Sequence, residues 1–454
     1  MPDNLASLLE FLKIPSISTL PEHEPDMRQA RDYLIRLFKS LGFTTQILPA
    51  QKHPAVFAQK LNSRKNPTVL IYGHYDVQPP DPLDQWQSSP FKPLIKNGKV
   101  YARGATDNKG QLMVHISAIQ KLIAKYGKNL PLNFKFLIEG EEEIGSPSIS
   151  NIAKKYNRLL KSDYLVVSDT EMPTFGQPAI HTRLRGLTYT EIRLQTAAHD
   201  AHSGQFGGVI PNPGLTLSHI ISRLKNDKNH VLIPGFYDDV LVPSPQELAD
   251  FAATEPKQTD VLHESSAFSI GGGESSYSLN QRRWTQPTLD VNGMLCGFTG
   301  SGSKTIIPST AMAKLSMRLV PNQNPDKIFK LFSRYIRSLT PKGTHIEIIN
   351  HASALPYVAP TSHPIFALAK SCLQKAFGQS PIFYATGGSI GAIPLLTQSL
   401  GGVPCLMIAM GNSDDNLHAP NEHFSLSNYT KGISAMTDFY FRLSSKLDNT
   451  GQSK

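Results

Sequence analysis

Four apolar segments of this chain are each followed by histidine or carboxylate side chains, and this recurrence limits the fold more than any other feature. The segments are 69–72, 132–138, 164–167 and 403–409. Their length and apolar content are typical of buried strands. The polar residues that follow them are His74, the pair Glu142 and Glu143, Asp169 and His418. Strands that alternate with helices form a parallel-rich sheet, so we expect these side chains to meet at its carboxyl edge.

The first of these segments ends in Gly73-His74-Tyr75-Asp76. We expect Gly73 to let the backbone leave the strand without a Cβ clash. His74 would then lie at the strand's end, with Asp76 close enough to hold the imidazole from behind, as carboxylates do for metal-bound histidines. A turn with a surface histidine is the alternative interpretation, and the recurrence of the same architecture favours the metal site.

Helical segments separate the predicted strands. Apolar residues at helical spacing predict helices near 4–13, 27–41 and 364–377, and a further helix directly after Asp107. An aspartate in that position is ordinarily the N-cap of the helix. Asp107 is therefore either an N-cap or a further member of the polar cluster.

The segment 187–357 does not show this alternation of apolar strands with helices. It opens with alternating apolar and polar residues at 189–194 and closes with the same alternation at 313–319 and 344–348. Alternation predicts antiparallel strands with one solvated face. We therefore predict a smaller α+β domain at 187–357, inserted between the two parts of a catalytic domain at 1–186 and 358–454.

The candidate set of imidazole and carboxylate ligands contains no thiolate, which suits zinc, manganese or cobalt. Two histidines with three carboxylates exceed the needs of one tetrahedral cation and suit two cations that share a bridging carboxylate and a water. Adjacent glutamates such as Glu142 and Glu143 are also tolerated on a solvated surface. Beside two cations, one glutamate is a ligand and the other accepts a proton. The spacing does not show which of the two glutamates is the ligand and which accepts the proton.

Composition narrows the class of protein. The formal net charge is +9 at pH 7, but the lysines and arginines are scattered and lack interleaved aromatic residues, so nucleic-acid binding is not predicted. Cys296, Cys372 and Cys405 are widely spaced and indicate a reducing compartment. No apolar run approaches the roughly 18 residues of a membrane span, and no signal peptide is evident. We expect a cytoplasmic protein without membrane association.

The ordered motifs resemble one enzyme family. They are His74-x-Asp76, Asp107 within 104–110, Glu142-Glu143-x-Gly145-Ser146, Ser168-Asp169 and the late His418. Together they resemble the co-catalytic di-zinc metallopeptidases, which include carnosinase-type dipeptidases, aminoacylase, acetylornithine deacetylase and succinyl-diaminopimelate desuccinylase. The resemblance spans nearly the whole chain, and five motifs in the right order are far more specific than one.

The resemblance implies a role for each residue of the cluster. His74 and Asp169 would bind one cation, Glu143 and His418 the other, and Asp107 would bridge both. Glu142 would be the general base and then the acid that protonates the leaving amine, with a hydroxide between the cations as nucleophile. Asp76 would orient His74, and the peptide bond Asp107-Asn108 would be cis. The implied cofactors are two divalent cations, Zn²⁺ first, with Mn²⁺ or Co²⁺ as alternatives.

Further stretches resemble the dipeptidase branch of the family. The motif 201–208 would place His202 in the active site of the other subunit of a homodimer, where it would stabilise the oxyanion. Thr305, Arg318 and Ser389 would bind the substrate's free carboxylate and nearby backbone. On the residues alone, the alternatives are that Arg318 faces solvent from its strand and that Ser389 is a turn residue in a glycine-rich loop. The chain departs from the branch in Ala385-Thr386, where a basic residue is common, and in Glu141, which adds negative charge beside the base.

The implied fold is α/β, with a phosphorylase/hydrolase-like catalytic domain around a mostly parallel mixed sheet and a lid/dimerisation domain with an antiparallel sheet. The implied function is a metallopeptidase that cleaves the amide bond of dipeptides or similar short peptides. An N-acyl amino acid deacylase is the alternative, because the motifs do not show whether the pocket requires a free amine or an acyl group. A binding protein on a degenerate peptidase fold is the non-enzyme alternative, and the intact Glu142 and ligand set argue against it.

Overall fold

The computed structural model describes residues 4–388 and 390–445. The helices are α1 Leu5–Leu12, α2 Glu24–Ser40, α3 Lys109–Tyr126, α4 Ile149–Lys155, α5 Asn157–Leu160, α6 Ser203–Phe206, α7 Pro213–Ser222, α8 Pro245–Ala253, α9 Gln258–Ser265, α10 Leu279–Trp284, α11 Pro325–Leu339, α12 Pro364–Phe377, α13 Ala392–Ser399 and α14 Leu426–Ser445. The strands are β1 Thr44–Leu48, β2 Ala55–Lys60, β3 Thr68–His74, β4 Leu94–Lys96, β5 Lys99–Tyr101, β6 Asn133–Glu139, β7 Tyr164–Val167, β8 Glu171–Met172, β9 Ala179–Leu184, β10 Gly186–Gln195, β11 Ala201–His202, β12 Thr288–Cys296, β13 Ile306–Ile307, β14 Thr310–Leu319, β15 His345–Ala354, β16 Tyr357–Val358, β17 Ile382–Ala385, β18 Cys405–Ile408, β19 Gly411–Asn412 and β20 His423–Ser425.

These elements form two compact units. Within the described residues, the first unit comprises 4–182, 359–384 and 391–445, and the second comprises 183–358, 385–388 and 390. The predicted domain boundaries, and the role of the second unit as a lid, stay predictions.

A mixed sheet is the centre of the first unit. Its strand order is β1-β2-β6-β3-β7-β18-β9. The central strands β6, β3, β7 and β18 run parallel to one another, and β1, β2 and β9 pair antiparallel. The predicted α/β class with a mixed, mainly parallel sheet is therefore confirmed, and the carboxyl ends of the four central strands lie at one edge.

Gly73 has a different role from the expected one. The strand β3 ends at His74, as expected, but Gly73 pairs with Ile138 inside the ladder, so the expectation that the backbone leaves the strand at Gly73 is wrong. A Cβ at this position would lie 2.7 Å from Oδ1 of Asn108, closer than real Cβ contacts allow. The missing side chain therefore makes room for Asn108 beside the strand.

The second unit contains the predicted antiparallel sheet, with the order β12-β14-β10-β15. The helices α7 and α11 cover one face of this sheet. On α11 the buried residues Ile328, Phe332 and Ile336 recur every four positions and form one apolar stripe. Alternate residues of β14, including Leu315 and Met317, pack against these helices. The alternating pattern in the sequence therefore corresponds to one face of the sheet that packs against the helices and an opposite face that does not.

None of the helices within the described ranges combines the length and apolar composition that crossing a bilayer requires.

Candidate metal centre

The carboxyl edge of the first unit's sheet carries the predicted cluster. β3 ends at His74, and the chain after β6 turns through a short 3₁₀ helix at 142–144 that carries Glu142 and Glu143. Asp169 follows β7 by two residues, and His418 lies in the loop between β19 and β20 with a φ of 59°. Parallel strands therefore deliver chain-distant residues to one place, as the sequence pattern predicted.

Asp107 lies at the centre of this cluster. Its Oδ1 is 3.0 Å from Nε2 of His74, and its Oδ2 is 2.8 Å from Nε2 of His418. Asn108, and not Asp107, occupies the cap position of α3, so the N-cap interpretation of Asp107 is wrong. The peptide bond between Asp107 and Asn108 is cis, as the resemblance implied.

The remaining candidate ligands complete two groups around Asp107. Oδ1 of Asp169 is 3.6 Å from Nε2 of His74, and Oε2 of Glu143 is 3.3 Å from Nε2 of His418. Ligand atoms of His74, Asp107 and Glu143 all lie within 4.8 Å of one another. The structure therefore brings the five residues together, one histidine and one acidic residue on each side of Asp107.

Asp76 connects this cluster to the candidate base. The side chain is fully buried, and its Oδ1 lies 3.4 Å from Nδ1 of His74. The backbone carbonyl of Asp76 is 3.1 Å from the same nitrogen. The two carboxylate oxygens accept the backbone N–H groups of Glu142 and Glu143 at 3.3 and 3.0 Å. Asp76 therefore holds both the Nδ1 side of the His74 ring and the backbone of the turn that carries Glu142 and Glu143.

Two amide side chains that the sequence reasoning missed also hold the cluster. Nδ2 of Asn108 donates to Oδ1 of Asp169 at 2.8 Å, and its Oδ1 accepts the backbone N–H of His74 at 3.4 Å. Nε2 of Gln78 donates to Oε2 of Glu143 at 2.9 Å. Both residues lie one or two positions from Asp107 or Asp76, and that proximity is the signal that could have identified them.

Burial and mutual repulsion change the pKa values of the carboxyl groups in the cluster. Burial raises the pKa of Glu142 well above its usual range, and the neighbouring Asp169, Asp107 and Glu143 carboxylates add to the rise. Burial also raises the pKa of Glu143 and of Asp169. Burial alone would raise the pKa of Asp107 too, but its hydrogen bonds with His418 and His74 lower it. Glu142 is thus placed to take up and release a proton.

The imidazoles compensate this negative charge when no cation does. Burial would lower the pKa of His74, but the carboxylates around it raise that pKa well above its usual range. Hydrogen bonds to Asp107 and Glu143 raise the pKa of His418 to about 10. The ion pairs seen for Asp107, Glu143 and Asp169 are those with His74 and His418. This donor set of imidazole nitrogens and carboxylate oxygens fits divalent cations.

Glu141, the departure noted in the sequence, is bound elsewhere. Its Oε1 accepts the backbone N–H groups of Lys52 and His53, the latter at 3.0 Å. The residue is buried and anchors the segment that precedes β2.

The candidate substrate-binding residues that the structure describes lie in the second unit. His202 is exposed, and its Nδ1 accepts the N–H of Gly204 at 3.0 Å. It is next to Thr305, because β11 pairs with β13 and the N–H of Ser203 donates to the carbonyl of Thr305. Arg318 is half-buried on the face of β14 opposite the core. Ser389 lies outside the described residues.

Comparison with known proteins identifies the family. The model of peptidase family M20/M25/M40 matches residues 70–442, most of the chain. The chain therefore belongs to this peptidase family, which confirms the predicted family and the metallopeptidase class.

Relatives cover nearly the full length of the chain. A Cys-Gly metallodipeptidase of Schizosaccharomyces pombe is 32% identical, covering 96% of this chain and 95% of the relative. The structure of an M20 family metallo-carboxypeptidase from Sulfolobus solfataricus is 34% identical, with a TM-score of 0.85, covering 97% of this chain and 99% of that one. The structure of human carnosine dipeptidase 1 is 27% identical, with a TM-score of 0.78, covering 97% and 96%.

The proton on His418 leads to a pH prediction. Its pKa of about 10 exceeds the ordinary 6.5, so the stabilisation that protonated His418 gives the metal-free fold is complete below pH 6.5 and is lost as the pH rises through 10. A cation that takes Nε2 must displace this proton. We expect Zn²⁺ or Mn²⁺ binding at pH 8 to release at least one proton per chain, and metal affinity to rise with pH between about 6.5 and 10.

Calorimetric titration of the chelated protein in buffers of different ionisation enthalpy measures this release. The exposed His219 provides a control, because His219→Gln should leave the release unchanged. Heats that do not depend on the buffer would contradict the prediction.

Proposed function

We propose that this chain is a metal-dependent dipeptidase that hydrolyses the amide bond of dipeptides or similar short peptides, with Glu142 as general base and acid. The observation that carries the proposal is the Asp107 carboxylate between His74 and His418, with Glu143 and Asp169 beside them. The names of the relatives support the substrate class, since they include a Cys-Gly metallodipeptidase and a carnosine dipeptidase.

The residues of the cluster divide the chemistry between them. Two divalent cations, Zn²⁺ first among the candidates, would activate a water and polarise the scissile carbonyl when bound. His74 and Asp169 would hold one, Glu143 and His418 the other, and Asp107 both. Glu142 takes a proton from the water and delivers it to the amine that leaves. Asp76 keeps His74 and the glutamate turn in place.

Removing the proton carrier should separate turnover from metal binding. We expect Glu142→Gln to lower kcat on a dipeptide by about 100-fold or more, because the amide cannot accept the proton. The variant should still bind two cations per chain, measured by elemental analysis after dialysis. Wild-type turnover in this variant would rule out Glu142 as the base.

Glu171 supports a substrate with a free amino group. It lies two residues after Asp169, and β8 pairs with β19, the strand that leads to the His418 loop. Glu171 is half-buried, and Asp107 and His418 are among the charged groups near its carboxylate. Burial raises the pKa of Glu171 to about 7, and the negative charge of Asp107 contributes. A substrate ammonium beside Glu171 would favour its ionised form.

This role of Glu171 would distinguish a dipeptidase from its two alternatives. The substrate of an N-acyl amino acid deacylase has no α-ammonium group on the acyl side of the scissile amide. A carboxypeptidase activity, suggested by the Sulfolobus solfataricus structure, does not require one next to the scissile bond. In all three cases Arg318, Thr305 and Ser389 would bind the substrate's carboxylate end, where an arginine fork fits.

Neutralising Glu171 should therefore affect one substrate class only. We expect Glu171→Gln to lower kcat/KM for a dipeptide by about 10-fold or more, mainly through KM, because a charge-assisted hydrogen bond is lost. Hydrolysis of the N-acetylated counterpart should not change. The surface variant Glu22→Gln is the control. Equal losses on both substrates, or efficient wild-type cleavage of the acylated one, would favour the deacylase or carboxypeptidase.

We propose that the protein is a homodimer that pairs through the second unit. The strand β12 is at an edge of its sheet, and apolar side chains near it are exposed. This patch comprises Val291, Met294, Leu295 and Phe298 on and after β12, and Leu215 on α7. The start of α7 lies beside β12, since a Cβ on Gly214 would be 2.8 Å from Sγ of Cys296. An exposed apolar edge strand next to an exposed apolar helix residue favours a second copy as its cover.

Breaking this patch should separate the subunits. We expect Leu295→Asp to give monomers in analytical ultracentrifugation and to lower activity, because His202 would no longer reach the partner's site. Leu61→Asp, at a similarly exposed leucine of the first unit, should stay dimeric. Mixing inactive His202→Ala and Glu142→Gln subunits should restore part of the activity through hybrid dimers. A fully active Leu295→Asp monomer would contradict the proposal.

The predicted division of labour belongs to the same proposal. The segment 187–357 would be the lid and dimerisation domain, and 1–186 with 358–454 the catalytic domain. A cytoplasmic location agrees with the three cysteines, all of which are free.

A further inference from the structure

A buried carboxylate outside the ligand set joins the loop of Asp107 to the loop of His418. Glu422 has no exposed surface. Its Oε1 accepts the backbone N–H groups of Thr106 and Asp107 at 2.9 and 3.1 Å. Its Oε2 accepts the N–H of Gly104 at 2.8 Å and Nη1 of Arg103 at 2.9 Å. Each oxygen thus receives two donors, and all four come from one short segment.

The four donors converge so that the two oxygens of one carboxylate accept them all. Three are backbone N–H groups that converge because the chain turns sharply at Gly104, whose φ is 80°. A Cβ there would lie 2.7 Å from Cγ1 of Val77, so the turn depends on glycine. Glu422 therefore accepts the converging N–H groups of the 103–107 loop in the way that a bound anion accepts those of a backbone nest.

Further bonds connect the same two loops. Oγ1 of Thr106 lies 2.9 Å from Oδ2 of Asp415 and 2.7 Å from the carbonyl of His423. The N–H of Ala102 donates to the carbonyl of Glu422 at 3.1 Å. The 102–107 segment is thus bound to residue 415, which precedes His418 in the chain, and to residues 422–423, which follow it. The distance between the backbone of Asp107 and the loop of His418 is fixed by these contacts.

We propose that Glu422 is a positioning residue that sets where the Asp107 carboxylate lies between His74 and His418. Asp107 contacts the two histidines through different oxygens, so a small rotation of its backbone would lengthen one contact as it shortened the other. The N–H of Asp107 itself is one of the bonds to Glu422. Loss of Glu422 would therefore loosen one cation of the pair, in the way that partners behind a ligand usually act. The effect on turnover rests on the proposed function, but the effect on metal binding does not.

If Glu422 had only a structural role, that role would come from its buried ion pair with Arg103. A matched variant of Arg103 separates this structural role from the positioning of Asp107. Arg103→Met removes that ion pair and leaves the three backbone bonds to Glu422 in place. Glu422→Gln removes the ion pair as well, and its NH₂ group faces backbone N–H donors. Both variants should lose stability of the metal-free fold in urea titrations, because each disrupts a buried charged contact.

Metal titration then tests the positioning role. We expect Glu422→Gln to bind the second Co²⁺ about 10–100-fold more weakly than wild type and to change the Co²⁺ absorption spectrum, and Arg103→Met to keep both cations and the spectrum. On a dipeptide, kcat of Glu422→Gln should fall more than KM changes. If Glu422→Gln does not fold, Glu422→Asp, which retracts the carboxylate by one methylene, should show the same weaker second site.

Two results would overturn the proposal: wild-type affinity and spectrum in Glu422→Gln, or equal metal loss in Arg103→Met. If the wild type binds two cations but hydrolyses no dipeptide, the proposed function fails while the titration still decides the role of Glu422.

Discussion

The carboxylate of Asp107 contacts His74 through one oxygen and His418 through the other, although the two histidines come from opposite ends of the chain. Each histidine has its own acidic neighbour, Asp169 on one side and Glu143 on the other. A shared carboxylate between two similar half-sites is what a pair of cations requires. The parallel strands, the turn at 142–144 and the late loop all serve to bring these groups to one edge of the sheet.

Holding so many carboxylates together is costly without cations. Burial raises the pKa of Glu142, Glu143 and Asp169, and protonated imidazoles compensate part of the negative charge. The structure meets this cost with fixed donors: Asn108 for Asp169, Gln78 for Glu143 and backbone N–H groups for Asp76. Such partners orient the ligands before any cation arrives and keep Glu142 available for proton transfer.

The sequence predicted the cluster because each member follows an apolar strand or lies within a compact local motif. His74 and Asp169 are clear examples, since buried strands of a parallel sheet must end at a common edge. Glu422 was not predicted, because its partners Thr106 and Asp107 are more than three hundred residues away and nothing local marks the pairing. The role of Gly73 was misjudged for the same reason, because its constraint comes from Asn108 packed against the strand and not from its own backbone. Local patterns thus predict which groups assemble, and long-range packing decides what holds them.

Electron paramagnetic resonance of the Mn²⁺-loaded protein would test most directly whether Asp107 bridges two cations. At two equivalents per chain, a bridged pair is predicted to give the spectrum of spin-coupled manganese, and Asp107→Ala should abolish the coupling. A spectrum of isolated Mn²⁺ that simply doubles between one and two equivalents would contradict a shared site.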